Sequence, residues 1–87
     1  MSETRKQLDE LISSLKQQRD EIAVKAHLSK QEARDEWDRL TARLDDVLRE
    51  YEPAKQAAES TAENVWVALK LAAAELKAGF ERVRKSL

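Results

Sequence analysis

Histidine and the acidic residues are the side chains of this sequence that could support metal chemistry. His27 is the only histidine, and the chain has no cysteine. A zinc site takes three or four protein ligands, most of them His or Cys, and the sequence has neither a His-x-x-x-His nor a Glu-x-x-His pair. We therefore expect His27 to be a polar residue at a helix surface or break, and we predict no metal and no cofactor.

Acidic residues cluster at Asp35, Glu36 and Asp38, and again at Asp45 and Asp46. A calcium-binding loop needs an acidic turn that contains glycine, whereas both clusters fall within a helical pattern. Two of the acids, Asp35 and Asp45, have an arginine four positions later, the spacing of ion pairs on one helix face. Both clusters are therefore predicted to be solvated helix surface.

The serines and threonines are the remaining candidates for chemistry, because a hydroxyl can act as a nucleophile. Such a nucleophile needs a general base beside it, and no recognisable constellation of this kind is present. One glycine in the whole chain also leaves no phosphate-binding loop. We predict that the protein is not an enzyme and has no catalytic residue.

The charge composition restricts the classes of partner that the sequence predicts. The 87 residues include 16 basic and 17 acidic ones, which together are 38% of the chain. Without a basic excess, nucleic acid is not a predicted partner. Residues 1–52 have a net charge of −3 and residues 53–87 a net charge of +2, so the two halves, or two copies, attract each other weakly.

The sequence shows no signal peptide and no membrane span, and a cytoplasmic location is expected.

Large apolar residues recur with helical spacing in three stretches, which predicts an all-α fold of one domain, residues 1–87. The first stretch is Leu8, Leu11, Ile12, Leu15 and Ile22, and the second is Trp37, Leu40, Leu44, Val47, Leu48 and Tyr51. The third is Ala58, Ala62, Val65, Leu69, Ala72, Leu76, Gly79 and Val83, beside a seven-residue series of Trp66, Ala73, Phe80 and Leu87. The apolar face of the third stretch is therefore wide enough to contact two neighbouring helices.

Pro53 locates the predicted main turn. Proline lacks an amide hydrogen and clashes with the preceding turn, so it ends or kinks a helix, and it also suits the first turn of a new one. A capping box at Ser60 and Glu63 is an alternative start for the last helix. The predicted parts are a helix over about 5–51, a reversal at about 51–53 and a helix over about 54–86.

A break within the first helix is an alternative to this hairpin. Ile22 and Trp37 are 15 positions apart, one more than two heptads, so their stripes are out of phase. Ser29 and Glu32 also form a capping box. We expect a continuous helix, because residues 23–36 contain neither glycine nor proline. A break near residue 28 would instead give a three-helix bundle with helices over about 5–27, 30–51 and 54–86, and a third arrangement is one helix kinked at Pro53.

The unequal arms of the hairpin predict self-association. At a rise of 1.5 Å per residue, the first arm would be about 70 Å long and the second about 50 Å. The first arm would then extend beyond the second and expose its stripe, which a second copy would cover in a dimeric four-helix bundle. The residues predicted for the dimer or partner interface are Leu8, Leu11, Ile12, Leu15, Ile22, Trp37, Trp66, Leu69, Leu76, Phe80 and Val83.

Two functions remain open. The first is a non-enzymatic scaffold or adaptor that forms a homodimer and binds an unidentified protein. The second is a peripheral membrane protein, because Lys70, Lys77 and Arg84 recur every seven residues beside Trp66 and Phe80, as in helices that bind anionic lipid. The same basic residues can instead cover the flank of a bundle core while their charges stay in water.

The two tryptophans and the glycine have predicted packing roles. Trp37 and Trp66 lie 15 and 14 positions from a reversal near residue 52, so we expect them to meet at one level of the hairpin. Gly79 lies beside Phe80 on the predicted seam, where a small residue lets a neighbouring helix approach closely.

Four segments support a family resemblance: Arg19–Ile22, Val24–Leu28, Arg34–Trp37 and the ending Lys77–Leu87. Over nearly its whole length the chain resembles a group of short, uncharacterised bacterial coiled-coil proteins. The resemblance implies a helical hairpin and assigns no activity to any residue.

Overall fold

The computed structural model describes residues 3–87, which contain three α-helices and no strand. The helices are α1 (Glu3–His27), α2 (Gln31–Gln56) and α3 (Glu63–Lys85). They lie side by side in a bundle that measures 44 × 19 × 17 Å. The predicted all-α fold is confirmed, in the three-helix form that the sequence offered as the alternative.

Helices α1 and α3 run parallel to each other. Gln18 Nε2 donates a hydrogen bond to Glu81 Oε1 at 3.0 Å, and Lys70 Nζ donates to Gln7 Oε1 nearer the other end. Both pairs join residues that are 63 positions apart, so the two helices run in the same direction.

Helix α2 runs antiparallel to its neighbours. The rings of Trp37 and Phe80 lie 4.9 Å apart at one level, and Arg43 lies 4.0 Å from Glu75 at the next. The numbers therefore rise along α2 as they fall along α3. The order of directions is up, down, up, as in a simple helix bundle.

The core lies along the axis between the three helices, and each helix contributes one apolar face. Its largest fully buried side chains are Phe80, Leu8, Leu15, Leu44 and Leu76. The other core residues are Ile12, Ile22, Ala26, Trp37, Leu40, Val47, Tyr51, Ala54, Trp66, Leu69, Ala73 and Val83.

The predicted continuous helix over about 5–51 is wrong, because the chain turns between His27 and Gln31. Ser29 does not cap α2 there: its Oγ donates to the carbonyl of Ala26 at 2.7 Å, and the extended residue before α2 is Lys30. Turning back buries four large aliphatic residues of α1, Leu8, Ile12, Leu15 and Ile22, each worth about 1.5 to 3 kcal/mol. The total gain from burial is roughly 6 to 12 kcal/mol. It exceeds the cost of the few helical hydrogen bonds that the turn removes, each of which contributes about 1 kcal/mol.

The predicted reversal at 51–53 is also wrong, because α2 continues through Pro53 to Gln56 and the connection spans 57–62. Pro53 lies in the last turn of α2, where its missing donor removes a single hydrogen bond. Thr61 stabilises the actual end of the helix, since its Oγ1 lies 2.9 Å from the carbonyl oxygens of both Ala54 and Ala57. These carbonyls are among those that a helix end leaves without an intrahelical partner. The last helix starts late, at Glu63, but the predicted capping box does not form: Ala62 precedes the helix without a side-chain cap, and Ser60 Oγ donates to the carbonyl of Ala57 at 3.2 Å.

The later reversal separates the two tryptophans, contrary to expectation. Trp37 packs against Phe80, whereas the Trp66 ring lies 5.5 Å from the Arg5 guanidinium at another level of the bundle. Trp66 and Phe80 are 14 positions apart, about 21 Å along α3.

Gly79 provides the close approach expected of it. A Cβ atom at this position would lie 2.6 Å from Leu40 Cδ2, too near for ordinary contact. The bare backbone therefore lets a side chain of α2 lie directly on α3.

Candidate interaction surface

The residues predicted for an interface lie inside the bundle. Ten of the eleven belong to the core, and Leu11 is partly buried against it. They contact one another within a single chain, so in this structure a second copy would have to contact other residues. The first stripe is covered by the chain itself and does not extend beyond its neighbours.

The outward side of α3 carries a second apolar series, which we call the outer stripe: Val67, Leu71, Ala74 and Ala78. All four are exposed, Val67 by 41% and Leu71 by 63%. They are spaced by four, three and four positions and so share one helix face. Helix α3 thus packs its inner face on both α1 and α2 and still presents apolar side chains outward. A helix on the surface of a bundle ordinarily has a polar outer face.

The ends of α3 differ in charge. Its first turn contains Glu63, and its last turn contains Arg82, Arg84 and Lys85. This arrangement is favourable for the helix dipole, whose positive end lies at the N-terminus. It also makes one end of the outer stripe acidic and the other end basic.

A second apolar feature lies at the end of the bundle where α1 meets α2. A groove of about 800 Å³ is open to solvent there, with Leu28 80% exposed at its edge. Its lining also includes the basic residues Lys25, Lys30 and Arg82 and the acidic residues Glu32 and Glu36. The groove therefore combines an exposed leucine with charges of both signs.

Tyr51 links α2 to α1 through a polar contact at the edge of the core. Its hydroxyl donates a hydrogen bond to Asp9 Oδ1 at 2.6 Å, and Lys55 Nζ lies 5.8 Å from the centre of its ring. Burial raises the pKa of Tyr51 above its ordinary value of about 10, and the hydrogen bond and negative charge of Asp9 raise it further. The phenol is therefore held in its neutral form.

The raised pKa predicts that Tyr51 ionises later in the folded protein than in the unfolded chain. Between the two pKa values only the unfolded chain has lost the proton, so the free energy of unfolding falls as the pH rises above about 10. Tyr51 is the only tyrosine, so tyrosinate absorbance reports on this group alone. We expect a higher midpoint in buffer than in urea, and a lower native midpoint in Asp9→Asn. Equal midpoints in buffer and in urea would contradict the assignment.

Within residues 3–87, no three His, Cys, Asp or Glu side chains are grouped so that they could hold a metal ion. None of the helices there is both long enough and apolar enough to cross a membrane.

Sequence reasoning missed the outer stripe, although its spacing is visible in the sequence. Val67, Leu71, Ala74 and Ala78 follow the heptad pattern alongside the buried series of Trp66, Ala73 and Phe80. The signal was the near absence of charge, since Lys70 is the only charged residue between Val65 and Ala74.

Comparisons with protein-family models, with curated proteins and with solved structures give no significant match for this chain.

Proposed function

We propose that this chain is a non-enzymatic interaction protein, a three-helix bundle that self-associates and serves as a scaffold or adaptor. The observation that supports the proposal is the outer stripe of α3. The interface belongs on this stripe, because the residues first predicted for it are buried within the chain. The resemblance to short bacterial coiled-coil proteins is compatible with this role and remains a prediction.

Contact with water makes the exposed outer stripe favour association. Exposed apolar area has a cost of about 25 cal/mol per Å² relative to burial, so association that covers it is favourable. Contiguous apolar patches on a small protein commonly mark contacts with another protein. Val67 and Leu71 supply the bulk of such a contact, and the alanines allow a partner helix to approach closely.

Self-association predicts a solution mass of two chains at micromolar concentration. Replacing Leu71 by Glu should give the mass of one chain, because the new carboxylate would lose its hydration in the contact. The folded bundle should be unaffected, since Leu71 is 63% exposed. Sedimentation equilibrium gives the mass, and circular dichroism checks that the helices remain.

Val24→Glu is the matched control, because Val24 is 67% exposed on α1 and lies outside the outer stripe. It should keep the mass of two chains. A wild-type protein that stays at one chain even at millimolar concentration would refute self-association. A dimer unaffected by Leu71→Glu would refute the outer stripe as the contact.

Binding to an anionic membrane is the second candidate function, and the groove at the end of the bundle favours it. Leu28 is 80% exposed, and Lys25 and Lys30 line the same groove. An apolar side chain beside lysines suits insertion between acidic headgroups, and the attraction has to outweigh the repulsion of Glu32 and Glu36 in the same groove. The last helix is the less suitable route, because Trp66 and Phe80 face the core.

Vesicle flotation tests this second function. The protein should float with phosphatidylserine vesicles at low salt and remain behind with phosphatidylcholine alone, because the attraction is electrostatic. Leu28→Glu should abolish flotation, and Leu71→Glu should leave it intact. Flotation that is insensitive to salt and to both variants would contradict a specific contact through Leu28.

A further inference from the structure

We propose that the occupant of the outer stripe is a second copy of this chain, with the two α3 helices packed antiparallel and in one register. This inference rests on the proposed self-association and adds the partner's orientation to it. Two independent features of α3 support it: the outer stripe has its large residues, Val67 and Leu71, in its first half and its small residues, Ala74 and Ala78, in its second half, and the two ends of the helix carry opposite charges.

The side-chain sizes along the outer stripe are complementary in the antiparallel direction. In antiparallel heptad packing, the first and fourth positions of the repeat face each other across the contact. Leu71 then lies against the partner's Ala74, and Val67 lies against the partner's Ala78. Each layer contains one large and one small side chain, so the contact is evenly filled. A parallel pair would place leucine on leucine and alanine on alanine, which leaves crowded layers beside voids.

The charges at the ends of α3 favour the same direction. An antiparallel pair brings Glu63 of the first turn to the same end as the partner's Arg84, and it does so twice. Both residues lie on the flank of α3 that also carries Lys70 and Lys77, and Arg84 lies 3.9 Å from Glu81 of its own chain. A parallel pair would bring the two basic last turns together, so that Arg82, Arg84 and Lys85 would face like charges. The opposed helix dipoles add to the preference for antiparallel packing.

Like charges come near in two symmetric places in this register, where Lys70 of each chain approaches Lys77 of the other. Lys70 is directed away from the outer stripe, because its Nζ donates to Gln7 Oε1 of α1. Lys77 lies on the same flank of α3, where it lines a shallow depression with Gln7 and Glu10. Both ammonium groups therefore lie to the side of the proposed contact and remain in water, where their repulsion is screened.

Disulfide trapping tests the orientation, and the absence of native cysteine makes every introduced thiol unique. The test variant is Val67→Cys with Ala78→Cys, and each single substitution is a control. In the antiparallel register, residue 67 of one chain faces residue 78 of the other, so the double variant should form a cross-linked dimer under mild oxidation. Two copies of residue 67 would be 11 positions apart, about 17 Å, beyond the roughly 7 Å that a disulfide spans between Cα atoms.

The outcomes separate the orientation from self-association itself. A double variant that cross-links at least tenfold faster than either single variant, and than the exposed Ser13→Cys, supports the proposal. Single variants that cross-link as fast as the double variant indicate parallel pairing and overturn it, while self-association stands. A wild-type protein with the mass of one chain overturns both.

Charge reversal measures the proposed end contact separately. Glu63→Lys and Arg84→Glu should each weaken the dimer by about tenfold, since two attractive pairs become repulsive ones. The double substitution restores both pairs and should return the dissociation constant to within about threefold of the wild type. A double variant weaker than either single one would overturn the register, while a wild-type mass of two chains would leave self-association standing.

Discussion

Phe80→Ala is expected to reduce the free energy of unfolding by about 3 to 5 kcal/mol. The phenyl ring is fully buried and lies 4.9 Å from the ring of Trp37, so its removal deletes both apolar burial and an aromatic contact between α2 and α3. The backbone cannot collapse into the space easily, because Leu40 already rests on the bare backbone at the adjacent Gly79. An 87-residue domain has about 4 to 13 kcal/mol in total, so the variant loses a large share of its stability.

Urea unfolding followed by circular dichroism and by tryptophan fluorescence measures this loss. The matched control is Val24→Ala, which also removes methyl groups from a helix but at a side chain that is 67% exposed. It should change the free energy of unfolding by less than about 0.5 kcal/mol. A loss for Phe80→Ala no larger than that of the control would mean that the ring is not in the core.

Which faces of the helices are apolar could be predicted from the sequence, because a helix repeats every 3.6 residues and the large side chains obey that period. Which helix or which second copy covers each face could not be predicted from the sequence. Leu8, Ile12 and Leu15 form a stripe that something apolar must contact, yet the stripe is the same whether a second copy or the remainder of the chain contacts it. The three-helix structure supplies α2 and α3 as that cover.

The turns were harder to predict because local signals competed with packing. Pro53 is the strongest helix-breaking residue in the chain, and yet it lies within α2, since the buried Ala54 after it extends the packed face. At the actual turn, the Thr61 hydroxyl lies within hydrogen-bond distance of carbonyls at the end of α2, a contact that the sequence pattern does not predict. The turn after His27 contains neither glycine nor proline. It follows from the phase difference between two stripes, a signal visible only when the whole chain is considered.

Predicting the candidate surface also requires knowing how the whole chain packs. Val67 and Leu71 are exposed because the other side of α3 is occupied by two helices, and a sequence alone does not tell which of two apolar series on one helix faces inward. Trp66 and Phe80 settle that choice, since burying aromatic rings removes more apolar area from water than burying valine and alanine. The smaller residues are left outside, where their size suits close contact between helices.

Leu15→Asp is expected to unfold the chain at neutral pH. Leu15 is fully buried, so the substitution loses the apolar contacts of a leucine and places a carboxylate among apolar side chains. The first loss alone is about 3 to 5 kcal/mol, and the second adds the cost of a buried unpaired charge. The sum approaches or exceeds the whole stability of a domain of this size. The control is Leu28→Asp, the same chemical change at a side chain that is 80% exposed, which should leave the helical circular dichroism signal unchanged.

This substitution also separates the three-helix bundle from the long hairpin. In a hairpin whose first arm extends beyond the second, Leu15 would lie at an interface between two copies, and Leu15→Asp would release folded single chains. In the bundle, the same variant loses its helical signal and its cooperative melting transition together, because α1 can no longer pack against α2 and α3. Circular dichroism and sedimentation on one sample decide between the two. A folded variant with the mass of one chain would contradict the arrangement of α1, whereas an unfolded variant follows directly from the position of Leu15 between all three helices.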